Sequence, residues 1–285
     1  MTKHFGVKTF LERQENHMSN FIAAMDHSGG STGGVLERYG QEYTEENKMD
    51  LVHQMRLRMV SNPDFNSDNI SHAILYKDTV DRGMVPILEE KGIRSILKID
   101  SGCEEDGTLK DFDVAGMIEY AKLNKCVGTK MRSIIKTADV MEDVLYQQFA
   151  IAQDISDASL IPIVEPEIPI DHEEKAELEA MLRKNMTKYL QKHNGTVILK
   201  LTLPEMPDLY RDFTLYSSVF KIVGLSGGYT TEEACRRLTQ NIDMTASFSR
   251  GLSEGLLVTQ TDEEFNAKLS QNIADIVKAS SSKQV

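Results

Sequence analysis

A lysine inside an apolar, β-branched run demands a chemical explanation. Lys200 stands in Thr196-Val197-Ile198-Leu199-Lys200-Leu201-Thr202, where its ammonium loses hydration, and cations in comparable runs at Lys98 and Lys130 further favour the neutral amine. A neutral amine attacks carbonyl carbon. Schiff-base chemistry then requires a proton donor and acceptor to interconvert carbinolamine and iminium, and Glu165 and Glu167, separated by Pro166, can supply both. Residues i and i+2 of a strand face the same side, so the two carboxylates repel each other and one pKa rises.

Ionisable groups recur at the ends of such runs: Asp26, Lys98, Lys130 with Arg132, Glu165 with Glu167, Lys200 and Arg250. One of them alone reads as a snorkelling or salt-bridged side chain; together they call for one polar pocket in which they satisfy each other. Two Gly-rich segments resemble anion cradles. Ser226-Gly227-Gly228-Tyr229 follows a β-branched run and leads into a helix that Thr230 or Thr231 can cap, so free backbone N–H groups point outward with the helix dipole behind them. Ser249-Arg250-Gly251 follows the next run and adds a guanidinium. Metal chemistry has little support: none of the seven histidines pairs in HxH or HxxxH spacing, and only His27 and His72 fall near run ends.

The elements that must position these groups are legible as a repeat. Eight short runs begin near Phe21, His72, Ser95, Val127, Leu160, Thr196, Phe220 and Thr245, several of them continuously apolar, as parallel strands covered on both faces are. Amphipathic segments lie between them, including Glu45 to Val60, Val80 to Lys91, Asp113 to Leu123, Ala138 to Ala158, His172 to His193 and Thr231 to Gln240. Thr261-Asp262-Glu263-Glu264 opens a final helix with a capping box. The repeat predicts an α/β fold, a (β/α)8 TIM barrel whose active site lies at the C-terminal ends of the strands. Residues 1–285 read as one domain, with a short leading helix in the first dozen residues and a tail that frays from about 280. A dinucleotide-binding sheet is disfavoured, because Asp26-His27-Ser28-Gly29-Gly30-Ser31 is not GxGxxG.

Composition narrows the function class. The chain is 40% hydrophobic and carries a formal charge of -12, which suits a globular protein and disfavours nucleic acid as a partner. No apolar stretch approaches membrane-spanning length, and no secretory signal is evident at the N-terminus. Cys103, Cys126 and Cys235 are odd in number and far apart, which points to a reducing compartment and a cytoplasmic location. The oligomeric state is not written in the sequence.

Phe21-Ile22-Ala23-Ala24-Met25-Asp26 with Ser28-Gly29-Gly30-Ser31-Thr32, Leu97-Lys98-Ile99-Asp100, Gly128-Thr129-Lys130-Met131-Arg132, Ile163-Val164-Glu165-Pro166-Glu167, Ile198-Leu199-Lys200-Leu201, Leu225-Ser226-Gly227-Gly228 and Ser247-Phe248-Ser249-Arg250 follow one another in an order that resembles the class I fructose-1,6-bisphosphate aldolases, in particular their shorter bacterial branch. The resemblance covers essentially the whole chain. It implies a barrel that cleaves fructose 1,6-bisphosphate reversibly into dihydroxyacetone phosphate and glyceraldehyde 3-phosphate, in glycolysis and gluconeogenesis, with no metal or other cofactor. It further implies Lys200 as the Schiff-base lysine, Glu165 as the main proton shuttle and Glu167 as a neighbouring carboxylate that interacts with Lys200. Lys130 would act at the carbinolamine step and Asp26 at the C4 hydroxyl. Ser226, Gly227 and Arg250 match the cradle of the C1 phosphate, Ser31 and Lys98 match contacts of the other phosphate, and Arg132 matches a substrate-contacting position.

Two features depart from the family. Thr32-Gly33-Gly34-Val35-Leu36 lacks the basic residue that longer members carry after the serine matching Ser31, and the last tyrosine is Tyr229, so the C-terminal tyrosine that assists enamine proton exchange is absent. Two other readings stay open on the residues: a different Schiff-base or transaldolase-like lyase of another phosphorylated sugar, and a non-catalytic binding protein on the same scaffold.

Overall fold

The computed structural model describes residues 20–284. All eight runs form strands: β1 Phe21–Met25, β2 Ile70–Leu75, β3 Arg94–Lys98, β4 Gly128–Ile134, β5 Ile161–Glu167, β6 Val197–Thr202, β7 Val219–Leu225 and β8 Met244–Ala246. They pair in parallel in chain order from β1 to β8. The Ala24 N–H donates to the Phe248 carbonyl at 3.3 Å, which brings β1 against the end of β8 and nearly closes the barrel.

The period of two along each strand sorts the side chains. Ile22, Ala24, Ile74, Ile96, Ile163, Ile198 and Val223 meet inside the barrel as a buried aliphatic plug. Alternate residues such as Phe21, Ala23, Leu97, Met131, Val164 and Leu199 face outward into the layer that the helices cover. Two residues beyond the plug, the inward positions become Asp26, Lys98, Glu165 and Lys200, and Lys130 on β4 stands in register with Lys98. The strands therefore carry a hydrophobic floor and a charged mouth on one face.

Helix boundaries follow local chemistry. Asp113 caps Val114–Leu123 by accepting from the Gly116 N–H, and Thr261 and Glu264 form the expected capping box on Asp262–Ser281. The segment from Val80 to Lys91, expected as one helix, belongs to two, Lys77–Asp81 and Met84–Glu90, divided at Gly83 with φ 82. A left-handed residue cannot continue a right-handed helix. The helix Gly30–Tyr39 was not expected, because GSTGG has poor intrinsic propensity. Burial of Val35, Leu36 and Tyr39 offsets that deficit. Only a 3-10 turn, Arg211–Leu215, lies between β6 and β7.

The tail expected to fray from about 280 makes tertiary contacts at Ser280 and Lys283. Ser280 is buried and accepts the Ala246 N–H, while Lys283 donates to the carbonyls of Leu238, Met244 and Ala279. These bonds tie the C-terminus to β8. The leading helix expected in the first dozen residues lies outside the described residues. Among the described residues, no helix is long and apolar enough to cross a membrane.

Candidate active site

The strand ends surround a cavity of about 720 Å³. Every site residue expected from the sequence lines it except Ser31, which sits in the first turn of Gly30–Tyr39 and whose side chain lies outside the described residues. Seven basic side chains (Arg38, Lys98, Lys130, Arg132, Lys136, Lys200 and Arg250) face five acidic ones (Asp26, Asp100, Glu104, Glu165 and Glu167). The wall is thus cationic in a chain of net charge -12.

Glu165 is the centre of the site. Its Oε2 lies 2.7 Å from Lys130 Nζ and its Oε1 lies 3.1 Å from Lys200 Nζ, with all three residues at most 4% exposed. Lys130 also donates to Asp26 Oδ2 at 2.9 Å. Asp26 follows β1 and the other three lie within β4, β5 and β6, so the order Asp26, Lys130, Glu165, Lys200 alternates in charge across the lumen. Burial pushes the Asp26 carboxyl upward, but Lys130 and Lys200 outweigh it and hold the group far below the ordinary carboxylate range. Burial works against the Lys130 ammonium too, and Asp26 with Glu165 overcomes it, so Lys130 stays charged.

Two expectations are corrected by these contacts. Lys200 does not sit among bare cations: Lys98 is engaged by Asp100 at 2.9 Å, and Lys130 by Asp26 and Glu165. The carboxylate touching Lys200 is Glu165, whereas Glu167 pairs with Arg132 Nε at 2.5 Å. Both glutamates face the lumen, as their spacing predicts. Each has found its own cation, so the pair does not share one site of mutual repulsion.

The two cradles form side by side. Thr230 caps Thr231–Thr239 by accepting from the Glu233 N–H, and the Tyr229 N–H closes a turn onto the Ser226 carbonyl at 2.8 Å. Gly227 has φ 58, and a Cβ there would lie 2.6 Å from Ile170 Cγ2, so this position needs glycine on both counts. Arg250 reaches over from the end of β8 and donates to the Gly228 carbonyl at 3.3 Å. Ser249 Oγ lies 3.0 Å from His27 Nε2. Burial lowers the His27 imidazole to about 4, with Asp26 opposing, so the ring is neutral near pH 7.

Sequence reasoning missed several wall residues. Arg38 lies one helical turn beyond Gly34, and its guanidinium is depressed by burial and by Arg250 nearby. It supplies a basic group that Thr32 to Leu36 lack, and no helix had been expected there to bring it in. Asp100 accepts from the N–H groups of Gly102 and Arg132 and holds Lys98. The Ser247 hydroxyl is buried on the cavity wall with no hydrogen-bond partner among the described residues. Its two-residue spacing from Ser249 was the available signal. His72, by contrast, lies back along β2 beside Ser71, away from the cavity. Among the described residues, no group of three or more His, Cys, Asp or Glu side chains is spaced to hold a metal ion.

No family model matches the chain. It is 43% identical over 289 residues to the class 1 fructose-bisphosphate aldolase of Synechocystis sp. (strain ATCC 27184 / PCC 6803 / Kazusa), covering 95% of this chain and 96% of that protein. The structure resembles that of fructose-bisphosphate aldolase from Plasmodium falciparum with TM-score 0.74 and 19% identity, over 96% of each chain. It also resembles an archaeal fructose 1,6-bisphosphate aldolase with TM-score 0.60 and 10% identity, over 95% of this chain and 97% of that one. The last two likenesses bear on the fold.

Proposed function

The chain belongs to the class I fructose-bisphosphate aldolases, and from that premise we propose how its residues divide the reaction. The substrate is fructose 1,6-bisphosphate, and Lys200 Nζ attacks its C2 carbonyl. Glu165, within 3.1 Å of Lys200, takes a proton from the amine and returns one to the carbinolamine oxygen, which leaves as water. Lys130, on the far oxygen of the same carboxylate, offsets the negative charge that develops at that oxygen. Asp26, held ionised by Lys130, accepts the C4 hydroxyl proton. The bond between C3 and C4 then breaks with its electron pair passing to the iminium nitrogen, which releases glyceraldehyde 3-phosphate. Protonation of the enamine at C3 and hydrolysis of the imine release dihydroxyacetone phosphate. The protonated imine is the electron sink, so the chemistry calls for no metal.

Ser226, Gly227, Gly228, Ser247, Ser249 and Arg250 receive the C1 phosphate on backbone N–H groups, hydroxyls and a guanidinium. Ser31, Lys98 and Arg38 serve the far end of the substrate, and Arg132, held by Glu167, contacts it between them. On this reading the chain works as one barrel domain, and a glycolytic role fits a cytoplasmic setting.

The observation that carries this reading is the contact of one buried carboxylate with both Lys130 and Lys200. Borohydride reduction in the presence of dihydroxyacetone phosphate is expected to leave one covalent adduct, located at Lys200 by mass spectrometry, and EDTA is expected to leave activity intact. An adduct at another lysine, or inactivation by EDTA, overturns the assignment.

A further inference from the structure

Arg56 is a charged residue at a core position. It lies on the helix Lys48–Ser61 outside the barrel, inside an otherwise apolar stripe of Val52, Met55, Met59 and Val60, and is 2% exposed. Among the described residues, no carboxylate lies within salt-bridge distance of it. Its guanidinium instead donates through Nη1 to Thr79 Oγ1 at 2.5 Å and through Nη2 to the His27 carbonyl at 2.7 Å. Burying a guanidinium on neutral acceptors is unfavourable unless its position is needed.

Those acceptors mark what it holds. Thr79 is fully buried in Lys77–Asp81, just past the end of β2, and His27 immediately follows Asp26 at the end of β1. The His27 ring meets Ser249 beyond β8 at 3.0 Å. Arg56 therefore joins the segment after β2 to the turn after β1, and that turn carries the Asp26 carboxylate.

We propose that Arg56 is a positioning residue for Asp26: it fixes the turn after β1 from outside the barrel and keeps the carboxylate on Lys130, facing the C4 hydroxyl. The proposal rests on the assignment of Asp26 to that hydroxyl. A displacement of about 1 Å at a catalytic group costs up to roughly 10²-fold in rate, which sets the scale of the effect.

A mutant cycle tests it, with kcat and KM for fructose 1,6-bisphosphate cleavage, yield of the reduced dihydroxyacetone phosphate adduct at Lys200, and Tm measured on each protein. Asp26→Ala is expected to lower kcat at least about 10²-fold. Arg56→Met is expected to lower kcat about 10-fold or more with KM within about twofold and adduct yield retained, because imine formation does not use Asp26. Added to Asp26→Ala, it lowers kcat no further. Arg56→Lys, which can reach one acceptor, recovers part of the loss. If Asp26→Ala is impaired while Arg56→Met keeps wild-type kcat, or if the two losses multiply, the proposal is overturned. An unimpaired Asp26→Ala overturns the Asp26 assignment instead. Should Arg56→Met fail to fold, Thr79→Val removes one acceptor alone. A several-fold kcat loss that vanishes in the Asp26→Ala background then supports the proposal, and its absence overturns it.

Discussion

The barrel interior holds two regions built from the same strands and opposite in kind. Below, Ile22, Ala24, Ile74, Ile96, Ile163, Ile198 and Val223 fill the lumen with aliphatic groups; above, Asp26, Lys130, Glu165 and Lys200 fill it with charge. On β6 the change takes one step of two residues, from Ile198 to Lys200, and on β5 from Ile163 to Glu165. The floor is stable by burial of apolar surface. The mouth is held by ion pairs, whose desolvation cost roughly cancels their attraction, so its arrangement serves chemistry more than stability. A lysine stands at each level: Lys200 meets Glu165 at the mouth, and Lys221 donates to the Asn20 carbonyl at 2.5 Å at the floor, where burial lowers its amine to about 7.

Substitutions at the two levels should therefore separate rate from stability. Lys200→Met is expected to lower kcat about 10⁴-fold or more and to abolish borohydride trapping, with Tm equal to or above that of the wild type. A trapped adduct in that variant would falsify the nucleophile assignment. Glu165→Gln keeps the shape and removes the proposed proton shuttle, so single-turnover kinetics should show imine formation slowed by about 10²- to 10⁴-fold. Ile198→Ala, two residues from Lys200, is expected to cost about 2–5 kcal/mol in urea unfolding with kcat near that of the wild type. Equal damage to both quantities would mean that floor and mouth are not separable.

The remaining two effects are smaller. Arg250→Ala removes a guanidinium at the rim, and KM for the bisphosphate should rise about 10- to 100-fold while adduct formation at Lys200 persists. Lys221 gives a pH effect whose sign follows from proton binding. The unfolded chain holds the extra proton up to the ordinary lysine value of 10.5, while the folded protein holds it only below about 7. Stability therefore rises with pH between those values. Lys221→Met should flatten that rise, as urea midpoints at pH 7 and 9.5 would report, and an unchanged slope would assign it to another group.

Legibility in the sequence followed the range of the interactions. The eight strands and about half of the cavity-lining residues were readable, the charged ones because alternation is local: a polar residue at the end of an apolar run must face the lumen or be buried at cost. Gly227 was readable as part of a turn for the same reason. Which partners meet was not. The contacts of Glu165 with Lys200 and of Glu167 with Arg132 depend on strand stagger, since Arg132 pairs in register with Glu165 and Ile134 with Glu167. Arg38 was hidden because the helix carrying it begins in glycines and is stable only through burial. Arg56 was hidden because a charged residue in an amphipathic helix reads as solvent-facing until the neighbouring elements surround it.

Residue types and their period, present in the chain from the start, determined that a lysine amine, two glutamates and a glycine-rich turn would share one end of a parallel barrel. Tertiary structure alone decided which carboxylate touches Lys200, which cations are already neutralised, and that Arg38, Asp100 and Ser247 join the wall. The physical reason is that burial and ion pairing depend on distances between segments far apart in sequence, and closure of the barrel sets those distances.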